Sequence, residues 1–242
     1  MYEPRTYRDW IKDKDLVSFN LIVKETDLHI RACSNLESQA LESVRRARQP
    51  LEEYIKGHPG FYHSLEPVEV EEDAPAIVRD MAEAAETAGV GPMAAVAGAV
   101  AEAVGRDLLV FSPEIIVENG GDIFLKTARK RKIGIFAGAD SPFTGRITLE
   151  IEPEDSPLGI CTSSGTVGPS LSLGYADAVI ILSGSTALAD AVATAVCNSI
   201  KTAADIDREV GQAGERYGIS GLVIIKDDKI GLWGNIRLAP VK

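Results

Sequence analysis

The chain is short of the residues that staple or ligate. Its three cysteines, Cys33, Cys161 and Cys197, have no CxxC or Cys/His spacing, and its three histidines, His29, His58 and His63, show no metal spacing. This excludes a disulfide framework and a zinc module, and a reducing compartment fits best. No stretch approaches the ~20 apolar residues that span a bilayer. The opening MYEPRTYRDWIKDKD lacks the apolar core of a signal peptide, so a soluble cytoplasmic protein is expected. Basic residues are also scarce, 25 Lys and Arg against 36 Asp and Glu, for a net charge of −11. That balance repels phosphate backbones and anionic membranes, so neither nucleic acid nor a membrane is expected as a partner.

The chain does have the material for a core. Its 242 residues are 45% hydrophobic, and a chain of this length buries roughly 70% or more of its unfolded surface without a staple. One domain over 1–242 is expected, with possible sub-units at 1–60 and 74–242.

LVSFNLIV (16–23), a KETD turn and LHIRAC (28–33) predict a β-hairpin. Ser34 with Glu37 resembles a capping box, and apolar residues from Leu36 to Ile55 recur at helical spacing, with a kink or break expected near Gln49 ahead of Pro50. Residues 57–75 read as an irregular connection. Pro75 opens a helix that Gly89 stops, and 91–105 predicts a buried helix of small residues. Four β-rich runs, 115–119, 122–126, 132–138 and 146–151, predict an antiparallel meander. Later come a strand at 178–183, helices from about Thr186 to Lys201 and from about Ala204 to Tyr217, and a final strand-turn-strand. Hairpins and helices in blocks indicate α+β, with antiparallel or mixed sheets and packed helices, and a pseudo-duplication is permitted.

Three stretches carry candidate chemistry. Between Asp155 and Gly174, 11 of 20 residues are Ser, Thr or Gly, more than a simple connection needs. Such a run either forms ST-turns or cradles an anion on hydroxyls and free amides. VENGGD (117–122) is a hairpin turn, or a place where paired glycines bring amides to a ligand with Asp122 beside them. Asp190 and Thr194 share a face of an otherwise apolar helix. Either they are oxygen donors for Mg²⁺, or Asp190 complements the dipole of its own helix. Cys161 is either a buried structural thiol or a thiolate stabilised by loop amides. The basic run Lys126, Arg129, Lys130, Arg131, Lys132 reads as a solvated hairpin end.

AGVGPMAAVAGAVAE (88–102), VENGGDI (117–123), GICTSSGTVGPSLS (159–172) and ADAVATAV (189–196) together resemble an uncharacterised family of anaerobic bacteria and archaea. That family is related to the ApbE-type FAD:protein FMN transferases, once called thiamine biosynthesis lipoproteins. The resemblance implies an ApbE-like fold and a site for FAD or a related flavin nucleotide, a small phosphate-bearing ligand, with Mg²⁺. It assigns the flavin site to Gly120, Gly121 and Asp122 and to Thr162, Ser163, Ser164, Gly165 and Thr166, and the magnesium to Asp190 and Thr194. The chain departs from the transferases in lacking a lipoprotein signal, a Lys in the GVGPMAAV stretch and a His-Ile-x-Asp-Pro-x-Thr-Gly motif. Pro169 stands where relatives often carry the His of GHSLS. Two other readings stand beside flavin binding: a sulfur-handling protein of homocysteine and sulfide assimilation that acts through Cys161, and a binding or regulatory module without catalysis. A homo-oligomer is open.

Overall fold

The computed structural model describes residues 14–166 and 174–241. The hydroxyl-rich stretch therefore lies partly outside the described residues, as does Pro169.

Strands β1 (Val17–Val23) and β2 (Thr26–Ala32) form the expected hairpin. Helix α1 (Glu37–Gly57) follows, and it runs through Pro50 as one element rather than breaking. The expected Ser34 cap does not form. The helix starts at Glu37, and the Asn35 side chain accepts from the Glu37 N–H at 2.9 Å. The connection at 57–75 is not wholly irregular: a short helix α2 (Pro59–His63) sinks Phe61 into the core. Helix α3 (Ala76–Ala88) ends at Gly89 in the left-handed conformation that lets glycine cap a helix. The predicted helix at 91–105 is a 3-10 turn (Pro92–Ala95) followed by α4 (Val96–Leu108).

The predicted meander divides between two sheets. Strands β3 (Ile115–Asn119) and β4 (Asp122–Lys126) extend the first hairpin. Strands β5 (Arg131–Gly134) and β6 (Ile147–Ile151) instead join β11 (Leu238–Pro240) in a separate three-stranded sheet. The main sheet continues from β4 to β7 (Leu158–Ser163), β8 (Ala178–Ser183), β9 (Gly221–Lys226) and β10 (Lys229–Gly234), so its order is β1-β2-β3-β4-β7-β8-β9-β10. Helices α5 (Thr186–Ser199) and α6 (Ile206–Tyr217) lie between β8 and β9 in sequence.

The layers follow from alternation along the strands. On β8, Val179 and Ile181 face the helical core while Ala178, Ile180 and Leu182 face the small sheet. The central strands of the eight-stranded sheet are thus covered on both faces, which is why β8 and β9 read as unbroken apolar runs. Arg131 is not solvated as the basic run suggested. It is 4% exposed and bonded to Glu114 and, through both terminal nitrogens, to Asp15. Among the described residues no single helix is long and apolar enough to cross a membrane.

Candidate functional site

The β3–β4 connection is a two-residue turn. Asn119 pairs with Asp122, and Gly120 and Gly121 take φ values of 70° and 112°, a conformation that favours glycine. The turn sets Asp122 as the first residue of β4, on the face that carries Phe124 toward the helices. The register Ile123↔Ile160 places Cys161 of β7 beside it on the same face.

Helix α5 supplies the opposing groups. Ser185 caps its start, accepting from Leu188 N–H at 3.2 Å, and Glu102 of α4 accepts from Thr186 N–H at 2.6 Å. Asp190 and Thr194 then fall one turn apart and half-buried on the side toward the start of α4. The two helices cross at Gly98. A Cβ there would lie 2.4 Å from the Thr186 carbonyl oxygen and 2.8 Å from Asp190 Cβ, so only glycine allows the approach.

At this crossing Asp190 takes a role that neither reading of the sequence named. The side chain does cap a helix, but not its own: Oδ2 accepts from Gly98 N–H at 2.8 Å, in the first turn of α4, whose N-cap Ala95 offers no side-chain acceptor. Asn119 holds the same segment from the sheet side by donating to the Ala97 carbonyl at 3.1 Å. Burial pushes Asp190 up to about 7, against the pull of the Gly98 and Ala97 amides.

Asp122, Asp190 and Thr194 line one pocket of about 430 Å³. Its other walls are Tyr62, Ser64 and Leu65 at the end of α2, the 3-10 turn with Met93 and Ala94, and Asn198 on α5. Asp122 is 7% exposed, and its Oδ1 is buried without a hydrogen-bond partner among the described residues. Burial lifts its carboxyl well above the usual carboxylate range, and the charge of Asp190 lifts it further. Two buried carboxyls beside one another, one with an orphaned oxygen, are satisfied either by holding protons or by a cation. Among the described residues no three His, Cys, Asp or Glu side chains converge as a metal cluster. A cation here would rest on the two carboxylates, the Thr194 hydroxyl and oxygens from ligand or water, a donor set that suits Mg²⁺.

The remaining predicted residues are placed differently. Gly121 lies against Thr162, whose carbonyl oxygen would be 3.8 Å from a Cβ on the glycine. The Gly121 amide is already taken by Glu118 Oε1 at 2.8 Å, so it is not turned to a ligand as the sequence reading supposed. Gly120 is exposed at the turn. Ser163 is buried in β7, and Ser164, Gly165 and Thr166 form a turn tied to Ala176 and Asp177; none of these four lines the pocket.

Cys161 is not in a loop. It is the fourth residue of β7, fully buried, its thiol donating to the Thr186 carbonyl at 3.3 Å. Burial and the neighbouring Asp122 and Asp190 push the thiol well above its ordinary value, so of the two readings the strand position favours the buried structural thiol over the thiolate, and the sulfur-handling reading has no accessible nucleophile here. Tyr62, Leu65 and Asn198 were missed. Only Asn198 carried a signal, standing four residues beyond Thr194 on the same helical face.

The comparisons with known proteins agree with one another. A family model described as AbpE bacteria matches residues 8–216. The chain is 42% identical over 222 residues to the UPF0280 protein MJ1526 of Methanocaldococcus jannaschii, covering 89% of this chain and 90% of that one. It is 44% identical over 201 residues to a UPF0280 protein of Methanosarcina acetivorans, covering 81% and 78%. Among solved structures, the flavin transferase ApbE from Vibrio cholerae superposes with a TM-score of 0.59 at 12% identity, over 90% of this chain and 96% of that one. The ApbE protein from Thermotoga maritima superposes with a TM-score of 0.55 at 14% identity, over 86% and 94%. At these identities the likeness is one of fold.

Proposed function

The chain belongs to the AbpE bacteria family, and from that premise we propose that it binds a flavin nucleotide, or a similar phosphate-bearing ligand, together with Mg²⁺ in the pocket between β4, α4 and α5. The observation that carries this reading is the buried, unpartnered Oδ1 of Asp122 in the same pocket as Asp190 and Thr194. Asp122 and Asp190 hold the cation and Thr194 contributes its hydroxyl. The backbone around Met93, Ala94, Val96 and Ala97 brings the start of α4, capped by Asp190, to the same wall. Bound there, Mg²⁺ supplies neutralisation of phosphate charge. The protein's own part is to orient the phosphates against the cation that the carboxylates hold. The fold's likeness to flavin transferases supports the choice of a flavin among phosphate ligands.

The test is titration of FAD, read by flavin fluorescence, into the wild-type protein and into Asp190→Asn with and without Mg²⁺. The asparagine retains an oxygen that accepts from Gly98 N–H and removes only the charge. Magnesium-dependent binding that weakens at least about tenfold in the variant, with its melting temperature in the absence of ligand kept or raised, is expected, since a lost charged contact is worth about 1.5–3 kcal/mol. Equal affinity with and without Mg²⁺ overturns the metal assignment.

A further inference from the structure

The pocket is not uniform along its length. Asp190, Thr194 and Asn198 succeed each other at four-residue intervals on α5, which sets them about 6 Å apart along the helix axis and about 12 Å end to end. The carboxylates crowd one end with Asp122. Beyond Thr194 the next group on α5 is neutral, the Asn198 amide, and the same pocket is lined by Tyr62, Ser64, Leu65 and Met93. Tyr62 and Leu65 are 51% and 62% exposed although both line the pocket, with half-buried Met93 beside them. Large apolar side chains left open to a pocket are covered when a flat apolar surface is laid on them.

Exposed apolar side chains and an amide lining one pocket suit a planar heteroaromatic ring whose face lies on Tyr62 and Leu65 and whose polar edge meets Asn198. The chain fixes the Asn198 backbone from behind. Gly174 packs so tightly there that a Cβ would lie 1.6 Å from the Cys197 carbonyl oxygen and 3.0 Å from Asn198 Cα. Asn198 also has a partner within the protein, and a side-chain amide offers two donor hydrogens and two acceptor lone pairs in all.

We propose that Asn198 is a specificity-determining residue, which hydrogen-bonds the edge of a heteroaromatic ring on the ligand while the carboxylate end holds its phosphates. The inference rests on the phosphate and Mg²⁺ reading of the pocket. A flavin dinucleotide carries two such rings, a flavin and an adenine, and both offer the same edge chemistry of ring nitrogens with exocyclic polar groups.

The experiment compares wild type with Asn198→Leu and Asn198→Ala, using FMN, ADP and inorganic pyrophosphate as probes, each with Mg²⁺. Calorimetry reads affinity and thermal melts check folding. On the order of tenfold weaker binding of FMN or of ADP, with pyrophosphate binding unchanged, is expected from loss of one ring contact. Loss confined to FMN identifies the flavin as the ring, and loss confined to ADP identifies the adenine. Because pyrophosphate has no ring, a general disturbance of the pocket would weaken all three probes alike, and that result overturns the assignment. So does unchanged binding of both FMN and ADP in a folded variant. Absence of Mg²⁺-dependent binding of every probe to the wild type overturns the phosphate reading and the Asn198 role with it.

Discussion

Gly98 shows how much of this site hangs on one missing side chain. Its amide donates to Asp190, and the bare Cα lets α4 approach the first turn of α5. Alanine has to push against the Thr186 backbone, which cannot rotate away as the end of a flexible side chain would. Gly98→Ala is therefore expected to destabilise by about 1–3 kcal/mol, the cost of overpacking a close contact. It is also expected to weaken Mg²⁺-dependent ligand binding, because Asp190 shifts with the helix. Chemical denaturation and FAD titration check the two effects separately. Gly120→Ala serves as the comparison: it strains a positive φ in the turn but touches neither helix.

At the scale of elements, α5 is the organiser. Its N-terminal amides are met by Ser185 just ahead of the helix and by Glu102 from α4, so the same helix pair is tied at the cap by Glu102 and again by the Gly98–Asp190 hydrogen bond. Ser185→Ala is expected to cost about 1 kcal/mol, as N-cap losses do, measurable as a lower denaturation midpoint with an unchanged slope. This helix was legible in the sequence because its apolar run is long and begins at a Ser-Thr pair. Strand β7 was not, because a strand flattened between a helix and a second sheet needs small residues. Gly159, whose Cβ would lie 2.5 Å from Thr186 Cα, and the hydroxyls that follow it looked like a loop. The division of the meander was equally hidden, since β4 finds β7 and β6 finds β11 across long stretches of chain that no local pattern records. The acidic end of the pocket stood out as short motifs. Tyr62 and Leu65 did not, since an exposed apolar residue in a connection gains meaning only from what folds opposite it.

For the molecule as a whole, the two carboxyls set an unusual pH dependence. Asp190 titrates at about 7 in the folded chain against 3.8 in an ordinary environment, and Asp122 is shifted the same way. Above the ordinary value the folded state holds protons that the unfolded state has released, so through Asp190 stability falls as pH rises from about 4 to about 7, and the upward shift of Asp122 acts in the same direction. Asp15, held low by its bond to Arg131, and Asp205, held low by the Thr202 and Lys201 amides, act oppositely, their contribution being lost as pH falls through the acid range below about 4. In a chelating buffer the protein is expected to melt at a lower temperature at pH 8 than at pH 5.5. Asp122→Asn with Asp190→Asn is expected to flatten that difference. A melting temperature of the wild type that rises from pH 5.5 to 8 contradicts the assignment.

The three thiols sit at very different depths. Cys33 is exposed just beyond β2, while Cys161 and Cys197 are sealed between the main sheet and α5. The folded protein therefore carries one chemical handle and two silent ones, and a maleimide dye reports by stoichiometry alone whether the helical layer has lifted from the sheet. One equivalent taken up means closed; three mean open. The rate of passage from one to three counts openings of the wall that holds the pocket, without any engineered probe.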